Sequence, residues 1–230
     1  TADNTGTDVT STADILNGGA GTDTFDLFSD GAAAALPALS SVEVLNLYDQ
    51  DDTITLTATA QASIETVNVY RGDGATTYSI GANTTTVNLT DLVLAAGGAV
   101  ISAPATTTAL TIGTSSVSTA AAAVNENIDI DGSKVASVTL NSTGTTAADV
   151  LDIAAAAALT INAGAKTTIG GITTTSTVGA ITITGSGATS IGVIDAGVDS
   201  IVATTNTGGV TLTSPADNED GIYTLSAGDD

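Results

Sequence analysis

Val67-Asn68-Val69-Tyr70-Arg71-Gly72-Asp73-Gly74-Ala75-Thr76-Thr77-Tyr78-Ser79-Ile80-Gly81-Ala82-Asn83-Thr84-Thr85-Thr86-Val87-Asn88-Leu89 decides how the chain folds. It holds three copies of one unit, apolar–polar–apolar: Val67-Asn68-Val69, Tyr78-Ser79-Ile80 and Val87-Asn88-Leu89. Alternation with period two places successive side chains on opposite faces of an extended strand, one face buried and one wet. Between the copies stand Gly, Asn, Asp and Thr, residues that favour turns. The stretch therefore reads as strand, turn, strand, turn, strand. Val67, Val69, Val87 and Leu89 should face inward, and Asn68 and Asn88 should face outward or ladder between neighbouring strands.

The unit recurs in both directions. Leu45-Asn46-Leu47 and Ile54-Thr55-Leu56 precede it; Leu110-Thr111-Ile112, Ile128-Asp129-Ile130, Val138-Thr139-Leu140, Leu159-Thr160-Ile161, Ile181-Thr182-Ile183, Val210-Thr211-Leu212 and Tyr223-Thr224-Leu225 follow. Counting looser copies, the mean step is roughly 11 residues. Near-copies at a fixed short step predict an all-β chain, a parallel β-solenoid or β-helix-like stack of short strands. Two strands per coil makes about 22 residues per coil, with Ile, Val and Leu stacked inside. An antiparallel β-sandwich carries the same alternation and is the alternative. The scarcity of two-residue hairpin turns such as Asn-Gly argues against it.

Three Ala-rich stretches interrupt the pattern: Ala32–Ala35, Ala120–Ala123 and Ala154–Ala158. Ala is the best helix former, so the first predicts a short helix or loop through Gly31–Leu39. The other two lie beside strand units and should fill a narrow core. The chain is thus expected to divide into residues 1–39, a Gly- and Asp-rich segment, and residues 40–230, the repeat region.

Composition narrows the function. The 230 residues include 25 Asp and Glu against 3 Lys and Arg, a formal charge of −22, yet only 12% are charged and 42% are hydrophobic. That composition folds rather than staying disordered. Without His or Cys there can be no Cys/His zinc site, thiol nucleophile, Ser-His-Asp triad or iron–sulfur cluster. Three cations, Arg71, Lys134 and Lys166, cannot neutralise a phosphate backbone or form a polybasic membrane patch. Neither nucleic acid nor membrane insertion is expected as a partner. Two Phe and four Tyr are too few for an aromatic sugar platform beside a pair of catalytic carboxylates, so no enzymatic activity is expected. A charge of −22 repels itself, and a divalent cation is the simplest counterweight.

Asp14-Ile15-Leu16-Asn17-Gly18-Gly19-Ala20-Gly21-Thr22-Asp23-Thr24-Phe25-Asp26 says where such a cation would sit. Residues 18–26 match the nonapeptide G-G-x-G-x-D-x-U-x, with Phe25 as the apolar residue. The glycines permit a tight turn with inward carbonyls, Asp23 supplies a carboxylate, and calcium accepts six to eight such oxygens. Asp14 lies nine residues before Asp23, where a degenerate preceding copy would place its acid. The candidate ligands are Asp8, Asp14, Asn17, Gly19, Gly21 and Asp23, and calcium is the expected cofactor. Asp217, Glu219 and Asp220, together with Asp229, form further acidic candidates near the end of the chain. Asp49–Asp52 and the group Glu126, Asp129 and Asp131 are weaker ones.

Asp14–Phe25 resembles the RTX calcium-binding repeat of proteins exported by type I secretion. Val42-Glu43-Val44-Leu45-Asn46-Leu47 and Ile64-Glu65-Thr66-Val67-Asn68-Val69 resemble strands of bacterial surface-layer proteins that carry RTX modules. The likeness covers residues 8–90; beyond them it is one of composition. It implies an RTX-like calcium loop near the N-terminus, residues 1–39 as the calcium-binding segment, and calcium-driven folding. It also implies lateral assembly with copies of the same chain into a lattice on the bacterial cell surface (S-layer), after type I export. A cell-surface polysaccharide would be the anchor, outside this segment. The alternative is a module of a large secreted RTX adhesin. The chain starts without Met and stops on Gly228-Asp229-Asp230, which reads as a piece cut from a longer protein.

Overall fold

The computed structural model describes residues 2–4, 14–29, 36–48, 54–57, 59–72, 76–120, 125–153, 156–215 and 222–225. Every strand pairing among them is parallel. Eleven strands form one long sheet, running from Ala2–Asn4 and Thr24–Ser29 through Thr66–Tyr70 and Ser137–Ser142 to Ile222–Thr224. Eight strands form a second sheet, from Ile54–Thr55 through Ile128–Asp131 and Thr167–Thr173 to Val210–Pro215. From Val44 onward the chain alternates between the two, which is a β-solenoid of about eight turns. Parallel strands cannot be joined by hairpins, so the antiparallel sandwich is excluded.

The register sets the length of each coil. Thr24 lies opposite Val44, Val44 opposite Thr66, and Thr66 opposite Thr86, so these coils take 20, 22 and 20 residues, close to the expected 22. The next two are longer: Thr86 pairs with Thr111 and Thr111 with Thr139. The extra residues build a small parallel pair, Val93–Leu94 with Ser118–Thr119, on a third side. The left-handed backbone at Arg71, Asp91 and Ser116 (φ 57°, 52° and 55°) turns the chain out of the long sheet at the same point of three successive coils.

Columns of identical chemistry follow from that register. Leu45, Val67, Val87, Ile112, Leu140, Ile161 and Ile183 stack one above another inside. Full burial of each such side chain stabilises the fold by about 1.5–3 kcal/mol. Both faces of a narrow coil must be closed by something, and at one corner the closure is polar. Thr114, Ser142 and Thr146 are buried. Thr146 donates to the Thr114 hydroxyl at 2.8 Å, and the Ser142 and Thr146 hydroxyls lie 3.0 Å apart. Buried hydroxyls are tolerated when they satisfy one another in this way.

The outward column of the long sheet holds the expected Asn ladder. Asn46 donates to Asp26 at 2.7 Å, Asn68 to Asn46 at 2.8 Å and Asn88 to Asn68 at 2.7 Å. Beside it Phe28, Tyr48 and Tyr70 stack, with ring centroids 4.4 and 4.8 Å apart.

The Ala-rich stretches depart from expectation. Among the described residues there is no helix. Residues 31–35 lie outside the described residues, and Ala38–Ser40 is a strand paired with Ile15–Asn17. Pairing with a neighbouring coil overrides local helix propensity there. Ala156 is buried as expected, but Ala157 and Ala158 are exposed, because the chain turns a corner at that point. Ala120 is half-buried, and residues 121–124 and 154–155 lie outside the described residues.

The ladder makes a testable claim. Asn68→Ala removes one bond given and one received, so stability should fall by about 1–3 kcal/mol. Asn141→Ala, in the same column but without a side-chain bond, should change stability by less than about 0.5 kcal/mol. Urea denaturation of both variants against the parent measures the difference.

Candidate metal centre

The Gly-rich motif forms the turn between strands Ile15–Asn17 and Thr24–Ser29. Gly19 and Gly21 have φ of +96° and +116°, a region that side chains with a Cβ rarely enter. Gly18 donates its N–H to the Ser40 carbonyl of the next coil at 3.0 Å. A methyl group there would collide with the Ser41 carbonyl and the Asp23 side chain. Gly18 is therefore required for the close approach to the next coil, and Gly19 and Gly21 for their backbone conformation.

Asp23 ends the turn and is half-buried. Its N–H donates to Oε2 of Glu43 at 2.9 Å. Its carbonyl accepts from the N–H groups of Glu43 and Val44, both at 3.1 Å. Its carboxylate oxygen Oδ2 is withdrawn from solvent and meets no hydrogen-bond donor. Such an oxygen costs free energy unless a proton or cation is beside it. Glu43, from the following coil, brings a second carboxylate to the turn, a meeting that its place in the sequence did not reveal.

The other sequence candidates are distributed as follows. Asn17, Gly19, Gly21 and Asp23 share the turn, and Asn17 Oδ1 already accepts from the Gly19 N–H at 3.1 Å. Asp14 is exposed and sits at the far end of strand Ile15–Asn17, separated from the turn by a strand length of about 10 Å. Asp8, Asp217, Glu219, Asp220, Asp229 and the Asp49–Asp52 group lie outside the described residues. Among the described residues no three acidic side chains gather closely enough to hold a metal by themselves. A cation at the turn would rely on Asp23, Glu43 and peptide carbonyls, a donor set of hard oxygens that suits calcium.

Stacking also aligns carboxylates. Asp23, Glu43 and Glu65 each precede a strand of the long sheet and follow one another coil by coil, Glu65 donating its N–H to the Glu43 carbonyl at 2.8 Å. On the second sheet Asp129 pairs with Asp152, and both face outward and are half-buried, while Asp131 is exposed. Burial, then the charges of Asp152 and Asp131, push the Asp129 carboxyl above its usual range. Glu126 behaves differently: it is buried, and its Oε1 has no donor.

Comparison of the chain with protein families, with curated proteins and with solved structures gave no match.

The Asp129–Asp152 pair makes stability depend on pH with a definite sign. A carboxyl whose pKa is raised by folding binds its proton more tightly in the native state. Its favourable contribution is therefore present at low pH and lost as pH rises through the folded value. Asp129→Asn should raise the melting temperature at neutral pH by about 1–3 °C, as relief of a like-charge cross-strand pair predicts. The gain over the parent should vanish below the carboxylate range, and low-salt thermal melts across that range would detect both effects.

Proposed function

We propose that this chain is a structural rather than catalytic protein, a calcium-stabilised β-solenoid segment of a bacterial surface layer that assembles with copies of itself. The observation that carries this reading is the Asp23 carboxylate oxygen, withdrawn from water without a donor in a turn of RTX-like sequence. Glu43 stands beside it from the next coil. When bound, calcium supplies positive charge and joins hard oxygens from more than one coil. Asp23 and Glu43 would hold it through their carboxylates, together with carbonyl oxygens of the glycine turn. The chain itself preorganises the turn through Gly19 and Gly21 and keeps Asp23 half out of water.

Self-assembly draws on the same electrostatics. Two copies, each with a formal charge of −22, repel at contact distance, where salt screens them only in part. A divalent ion between carboxylates converts that repulsion into a bridge. This reading places the protein outside the cell after type I export, with its anchor elsewhere.

Calcium at about 100 times its dissociation constant should add about 2.7 kcal/mol, raising the melting temperature over chelator by about 5–10 °C. Asp23→Asn should lose most of that increment, yet match or exceed the parent in chelator, because it removes the charge from a carboxylate whose Oδ2 is withdrawn from water without a donor. Equal melts of the parent with and without calcium would refute the calcium site. Electron microscopy at millimolar calcium tests assembly: sheets support the surface-layer reading, and a monodisperse chain favours the adhesin alternative.

A further inference from the structure

We propose that the outer face of the long sheet carries a binding site for a neutral pyranose saccharide, at the gap over Gly113. The proposal rests on a different part of the molecule from the calcium turn and stands without it.

Two columns of the outer face end beside each other. The amide column runs Asp26, Asn46, Asn68, Asn88, then Gly113, then Asn141. Each Asn donates its Nδ2 to the oxygen of the preceding coil, so the last amide, Asn88, has its Oδ1 turned toward the next coil. There Gly113 has no side chain to meet it, and a Cβ at that position would run into this oxygen. The aromatic column runs Phe28, Tyr48, Tyr70 and then Thr90. Tyr70 therefore ends the stack, with one ring face against Tyr48 and Thr90 as its counterpart in the next coil.

Together these two terminations leave a depression of about 470 Å³, within the range of small-ligand sites. Gly113 forms its floor, with Tyr70 and Asn88 on one side and Asn141 and Thr143 on the other. Its walls combine an aromatic ring, the three planar amides of Asn68, Asn88 and Asn141, and hydroxyls, and no Asp, Glu, Lys or Arg lines it. Pyranose rings match that set. Their hydroxyls both give and accept hydrogen bonds, so they can donate to Asn88 Oδ1 and engage either end of the Asn141 amide. Their C–H faces are apolar and pack against an aromatic ring. A neutral sugar is specified because the formal charge of −22 repels anions and no acidic residue in the gap would hold a cation.

NMR titration of the whole chain with maltotriose, cellotriose and chitotriose, each to about 10 mM, tests the site. At least one should shift the side-chain amide signals of Asn88 and Asn141 and the ring signals of Tyr70. Gly113→Asn fills the gap, its Cβ pushing the Asn88 side-chain oxygen aside; Tyr70→Thr removes the ring and extends the threonine that follows it. Each should weaken that sugar about tenfold or more, with circular dichroism unchanged. Asn141→Ala, which removes an amide from the gap and adds no atom at position 113, gives the same test if a side chain at Gly113 impairs folding. If none of the three sugars shifts these signals, or if the variants bind as tightly as the parent, the proposal is wrong.

Discussion

The fold depends on parallel, in-register stacking of one coil on the next. Strands about 4.8 Å apart set each side chain directly over its counterpart 20 to 28 residues earlier. Whatever chemistry a position has is therefore repeated at contact distance. For apolar residues the repetition is favourable, and the interior column from Leu45 to Ile183 is the result. For amides it is favourable too, because Asn carries both a donor and an acceptor and can bond its own kind. Rings gain by stacking, as Phe28, Tyr48 and Tyr70 do. Carboxylates lose, since they only accept and all carry the same charge.

That last consequence links the fold to the proposed function. The acids that precede the strands, Asp23, Glu43 and Glu65, and the pair Asp129 and Asp152 are brought into line by the same register that builds the core. The scaffold cannot relieve one column without shifting the others. Three basic residues in the whole sequence are too few to compensate from within. Under the proposed function, a divalent counter-ion would relieve the repulsion and leave the register intact.

Much of this was readable in the sequence. The Val67-Asn68-Val69 alternation fixed which residues face inward, and the 11-residue step predicted two strands per coil. The sequence left Asn68 and Asn88 either to face outward or to ladder, and the hydrogen bonds between coils show the ladder. What escaped was what depends on the neighbouring coil. Glu43 reaches Asp23 only because the register sets it 20 residues on. The buried hydroxyls of Thr114, Ser142 and Thr146 look in sequence like any outward threonine or serine; their burial comes from a corner at which they bond one another. Glu126 precedes Ile128 by two residues and so inherits its inward face, while Asp129 and Asp131 point outward as alternation requires.

Distance measurement between spin labels tests the stacking directly. The chain has no cysteine, so labels can be placed at chosen pairs in one outer column. Thr66 and Thr139 are three strands apart in the long sheet, Thr66 and Thr182 five. Pulsed electron paramagnetic resonance should give mean separations near 14 Å and 24 Å, about 4.8 Å for each coil crossed. Separations that fail to grow in proportion to the number of coils would contradict the parallel solenoid, and with it the columns on which the rest of the account stands.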